Sequence, residues 1–69
     1  MPITMARTGE VNSIKRVTGK EEVRRFLESL GFVEGSEVTL LSKNGGNIIV
    51  KIRESRVAIS KEMANRIMV

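Results

Sequence analysis

Four basic side chains crowd into the fourteen residues 43–56: Lys43, Lys51, Arg53 and Arg56, with Glu54 the one acid among them. That segment carries a net +3, nearly all of the chain's net +4. Lys51 and Arg53 alternate with apolar neighbours, so on a strand both face the same outward side. A positive patch of this kind steers an acidic partner toward itself. Its plainer use is to blunt exposed strands against edge-to-edge pairing. These four residues are the candidate partner-binding set.

The other charged residues promise less. Between Lys20 and Leu30, Lys20, Arg24 and Arg25 balance Glu21, Glu22 and Glu28. Glu21–Arg25 and Arg24–Glu28 are i,i+4 pairs of the kind that stabilise a solvated helix face by about 0.2–0.5 kcal/mol each. Every acid is a Glu, and there is no His, Cys or Asp. Transition-metal sites usually draw on imidazole or thiolate beside carboxylate. Glu21 and Glu22 are adjacent on a helix, about 100° apart, and chelate together poorly. No metal site and no cofactor are assigned. Met63 and Met68 read as core or barrel-closing residues, since thioethers suit soft metals.

Acid–base chemistry near neutral pH draws mostly on His, or on carboxylates and lysines shifted by deep burial. A chain of 69 residues has little volume for such burial. No phosphate-binding glycine loop, HExxH motif or nucleophile elbow occurs, and Gly45-Gly46 stands too isolated to cradle a phosphate. The sequence therefore argues a non-enzymatic binding or adaptor module.

Positioning those residues requires a small framework. Ile3-Thr4-Met5 reads as an opening strand. Val11, Ile14 and Val17 recur every three residues, which a strand bulged near Asn12-Ser13 would turn inward together. Val23, Phe26, Leu27 and Leu30 form one apolar stripe of a helix over 19–30. Thr18 and Glu21 have capping-box spacing at its start. Gly31 stands where a left-handed residue closes the helix and lets Phe32 fold back.

Strands follow at 37–42 and 48–53, joined by Asn44-Gly45-Gly46-Asn47, in which Asn44-Gly45 is the tight-turn signal. Arg56 to Ser60 makes a further strand. Ser60 then caps a turn or short helix, and Ile67-Met68-Val69 returns as the last strand. Five or six short strands with one inserted helix predict a mainly β fold, a small and partly open barrel.

One domain accounts for the length. The hydrophobic fraction of 41% and charged fraction of 29% are those of a globular chain. The N-terminus lacks a basic flank leading into an apolar stretch, and no apolar run approaches the ~20 residues of a membrane span. A cytoplasmic location is expected.

At this point the spacing resembles a known family. Leu27-Glu28-Ser29-Leu30-Gly31-Phe32-Val33-Glu34-Gly35-Ser36-Glu37-Val38 is similar to the L-x-x-L-G-hydrophobic-x-P-G-x-x-V pattern of the ferrous iron transport protein A (FeoA) family. Glu34 replaces the usual Pro before the turn residue Gly35, and a glycine often present in the last hairpin is missing at Glu54-Ser55. Gly9-Glu10-Val11 fits the family's first strand, and Val57-Ala58-Ile59-Ser60 through Val69 fits its close. The resemblance implies an SH3-like barrel. It implies an adaptor acting on the cytoplasmic side of the membrane GTPase permease FeoB, without inserting into the membrane itself. It also implies kinship with the C-terminal domain of iron- and manganese-dependent repressors.

Two other functions compete. A nucleic-acid-binding small barrel fits the positive charge, although single-strand binders stack bases on outward aromatics and neither Phe26 nor Phe32 is expected to face outward from a strand. A metal-ion-sensing module follows from the repressor kinship.

Overall fold

The computed structural model describes Met1–Val69 in full. Six strands and two helices follow in order: β1 (Val11–Ser13), β2 (Arg16–Val17), α1 (Glu21–Ser29), β3 (Glu37–Asn44), β4 (Asn47–Ile52), β5 (Ser55–Ser60), α2 (Lys61–Ala64) and β6 (Ile67–Met68). All pairings are antiparallel. One sheet has the order β1-β3-β4-β5, and a second pairs β2 with β6. The two sheets enclose the core without closing into a continuous barrel.

Alternation builds the inner face. Val38, Leu40, Ile48, Val50, Ile52 and Ile59 are buried, as period two requires of strands with one wet side. Leu27 from α1 and Ala64 from α2 join them, together with Phe32 and Ile67.

The opening segment departs from expectation. Ile3–Met5 is a 3-10 turn, not a strand; Ile3 is buried while Met5 is 70% exposed. Nor do Val11, Ile14 and Val17 all turn inward. The chain pairs with β3 through Ser13 and with β6 from Arg16, pivoting at Ile14, which is 1% exposed. Ile14 N–H donates to the Ser36 carbonyl, and Gly35 N–H donates to the Ile14 carbonyl. Val11, in register with Thr39, is left on the outer face at 57% exposure.

Helix α1 begins at Glu21, with Lys20 as its N-cap and no side-chain cap. The expected Thr18–Glu21 box does not form. Thr18 instead extends the β2–β6 ladder, its N–H and Oγ1 both donating to the Arg66 carbonyl at 2.8 and 3.3 Å. Sheet pairing outcompetes the local cap. Within the stripe, Leu27 is fully buried and Val23 and Leu30 are half-buried, but Phe26 is 47% exposed. The helix meets the core along the line 23, 27, 30, and Phe26 lies beside that line. The aromatic ring in the core belongs to Phe32.

The helix end forms as the sequence expects. Gly31 has φ +107, Phe32 N–H donates to the Leu27 carbonyl and Gly31 N–H to that of Glu28. This is the Schellman arrangement, with Phe32 returning onto Leu27. Ser60 caps α2 by accepting a hydrogen bond from Met63 N–H.

Candidate docking face on the outer sheet

Cross-strand register fixes which side chains share the solvent side of the four-stranded sheet. Val11 opposes Thr39, Thr39 opposes Lys51, and Lys51 opposes Arg56. This row crosses the whole sheet. Beside it, Ser42, Ile49 and Ala58 form a second outward row. A shallow depression of about 390 Å³ lies on this face, lined by Val11, Glu37, Thr39, Lys51, Arg53 and Glu54.

The four expected basic residues separate. Lys51 and Arg56 are direct cross-strand neighbours and both exposed. Lys43 is elsewhere. Counting by twos from Thr39 would put Lys43 on the outer face, but a bulge between Leu40 and Ser42 makes Leu41 the extra residue. The bulge reverses the phase of the strand. Lys43 then opposes the buried Ile48 on the inner side, where it borders a cavity with Thr4, Met5, Gly45, Ile48 and Lys61. Its basic neighbour is Lys61, a residue the sequence did not single out.

Arg53 is exposed but also serves the fold. It occupies the first position of the two-residue turn between β4 and β5, at φ 56, the one residue other than glycine with positive φ. Its side chain lies over Gly31: a Cβ built on that glycine would stand 3.2 Å from Arg53 Nε. The cation sits at the C-terminal end of α1, where the helix dipole favours it.

Neither Lys51 nor Arg56 lies within 4.0 Å of a carboxylate, although Glu37 and Glu54 line the same depression as Lys51. The only ion pair within 4.0 Å joins Glu21 to Arg25, at 2.7 Å on the exposed face of α1. The expected Arg24–Glu28 pair is not made. No three Glu side chains converge on a point that would hold a metal ion. Met63 is half-buried against the core. No aromatic ring stands on the outer sheet face, since Phe32 is in the core and Phe26 is on the helix.

Of the expected turn residues, Gly31 and Gly45 have positive φ, as does Gly35. Asn44 does not occupy the turn; it is the last residue of β3, paired with Asn47, and Gly45-Gly46 makes the bend. Val11 was missed as a surface residue because a three-residue apolar spacing says nothing of which member faces out. No helix is long and apolar enough to cross a membrane.

Solved structures repeat this arrangement. An iron uptake regulatory protein (FeoA) is similar over 97% of this chain and 91% of its own, at 25% identity and TM-score 0.87. A zinc-complexed FeoA from Stenotrophomonas maltophilia, described as a prokaryotic SH3 domain protein, is similar over 99% of this chain and 87% of its own, at 26% identity and TM-score 0.84. A manganese-dependent transcriptional repressor shares the fold at 21% identity and TM-score 0.86, over 97% of this chain but 39% of the repressor. The expected SH3-like architecture is thus present, and the fold is shared with the repressor. No curated protein gives a significant sequence match. The FeoA domain model, however, matches residues 1–69, and with that the chain belongs to the FeoA family.

Proposed function

We propose that this protein is a non-enzymatic adaptor of a ferrous iron uptake system, docking through its outer sheet face on an acidic surface of the cytoplasmic part of the FeoB permease. The observation that carries the reading is the Lys51–Arg56 pair, two exposed cations side by side with no carboxylate in ion-pair contact, on a domain of the FeoA family. Unpaired like charges held together on a rigid sheet create a local field, and such fields act mainly on the rate of encounter. The chain has no His or Cys, and Glu37, Lys51 and Glu54 on this face are exposed rather than deeply buried, which supports binding over catalysis.

The test is capture of FeoB from membranes by the wild-type chain and by Lys51→Glu with Arg56→Glu. The double reversal should cut the association rate by about tenfold or more at low salt and flatten its ionic-strength dependence. Arg53 is left unchanged because its backbone and its contact with Gly31 tie it to the fold. Wild-type rate and salt slope in the reversed variant would sink the proposal. So would tight, salt-steep binding of the wild-type chain to RNA or DNA with no capture of the permease.

A further inference from the structure

The four-stranded sheet ends on two unequal edges. At one, β1 is three residues long, and brevity itself protects an edge. At the other, β5 runs six residues in unbroken register with β4, contains neither proline nor lysine, and has Arg56 as its one charged residue. The small sheet leaves no comparable edge at β6, whose Met68 pairs with Arg16 and also bridges to Pro2.

Hydrogen-bond alternation shows what the β5 edge offers. The Arg53-Glu54 turn closes on the pair Ile52–Ser55, so Ser55, Val57 and Ile59 exchange their bonds with β4. Lys61 keeps the same phase, donating its N–H to the Gly46 carbonyl at 2.9 Å. The N–H and C=O groups of Arg56 and Ala58 therefore point away from the sheet. No other strand or loop pairs with them, and both residues are exposed.

Side-chain chemistry narrows the partner. On the outer face Arg56 stands beside Lys51, and Ala58 beside the half-buried Ile49. A strand added at this edge would bring one side chain opposite Arg56 and another, two residues along, opposite Ala58. Opposite charges favour such direct pairs and like charges oppose them. A second copy of the chain would bring its own Lys51 and Arg56 up to this edge.

We infer that β5 is a strand-addition site for an extended acidic segment of a partner, with a carboxylate opposite Arg56 and an apolar side chain opposite Ala58. Main-chain bonds would supply affinity and the alternating side chains specificity. The inference deepens the docking proposal and rests on it for the partner's acidity.

The probe is an acetylated and amidated heptapeptide, Thr-Thr-Val-Thr-Glu-Thr-Thr, titrated into the ¹⁵N-labelled chain. The amides of Arg56 and Ala58 should gain at least about tenfold protection from hydrogen exchange, while those of Val57 and Ile59 stay as they were. N-methylation of the peptide's Glu should abolish binding, and N-methylation of the Thr before it should not. Arg56→Glu should weaken binding by about tenfold, and the peptide carrying Lys for Glu should restore it. Absence of protection at millimolar peptide, or binding that protects other amides, overturns the inference. Concentration-dependent protection of Arg56 and Ala58 without peptide overturns it too, by giving the edge to a second copy. The titration contains no permease, so its failure is separate from failure to capture FeoB.

Discussion

The two turns that bound β4 have the same length and opposite character. Gly45-Gly46 bends into open space: Gly45 has φ 59, and a Cβ added at either glycine would meet nothing within 4 Å. Arg53-Glu54 bends against the helix. Arg53 holds φ 56 with a full side chain, a conformation that costs about 1–2 kcal/mol without glycine. That side chain lies on Gly31, itself left-handed at φ +107. The first turn is set by its own residues. The second is a joint, where a strained residue persists because the structure around it fixes its place.

The largest effect should come from beneath the joint. Leu27→Ala removes the fully buried side chain onto which Phe32 folds, and should destabilise by about 2–5 kcal/mol in urea unfolding. A loss under about 1 kcal/mol would mean that the helix end is peripheral to the core. Next, Gly31→Ala should cost about 1–3 kcal/mol, from its φ and from the crowding of Arg53. Pairing it with Arg53→Ala separates those causes. If the contact matters, the double variant recovers part of the loss; strict additivity would reduce the joint to two unrelated turns.

Gly45→Ala should cost about 1 kcal/mol, all of it backbone, with no coupling to Arg53. Coupling there would break the contrast between the turns. The smallest change is expected for Arg53→Gly, where relief of the left-handed backbone offsets loss of the side-chain contact. A net shift within about 1 kcal/mol of zero fits that balance. Destabilisation beyond 2 kcal/mol, on the order of a core truncation, would make the contact with Gly31 the stronger term.

The same contrast explains what could be read in the chain beforehand. Features set by neighbours in sequence were legible: the Gly31 helix end, the β3–β4 hairpin, the Ser60 cap of α2, and the alternation of Ile48, Val50 and Ile52. The family pattern supplied the architecture that these pieces form. Features decided by distant partners were not legible. Thr18 has capping chemistry but is claimed by Arg66, and Phe26 sits in an apolar stripe yet faces water. Lys43 stands with Lys51, Arg53 and Arg56 only by nearness along the chain, and Leu41 looks like an ordinary strand residue. Only the pairing with β4 shows it to be supernumerary, and that single residue divides the basic cluster between two faces.

The little sheet of β2 and β6 bears on the order in which the molecule assembles. It joins Arg16 to Met68 and Val17 to Ile67, closing a loop that contains α1 and the whole β3–β4–β5 meander. The meander needs only two-residue turns, whereas closing the large loop costs entropy that increases by about 0.6 kcal/mol with each doubling of length. Contacts so distant in sequence belong late on the folding route. Truncating Ile67 to Val should therefore quicken unfolding and leave refolding nearly unchanged, while Val50→Ala in the meander slows refolding. A kinetic trace with those assignments reversed would place the nucleus in the terminal pair, and the meander would then condense around a closure already made.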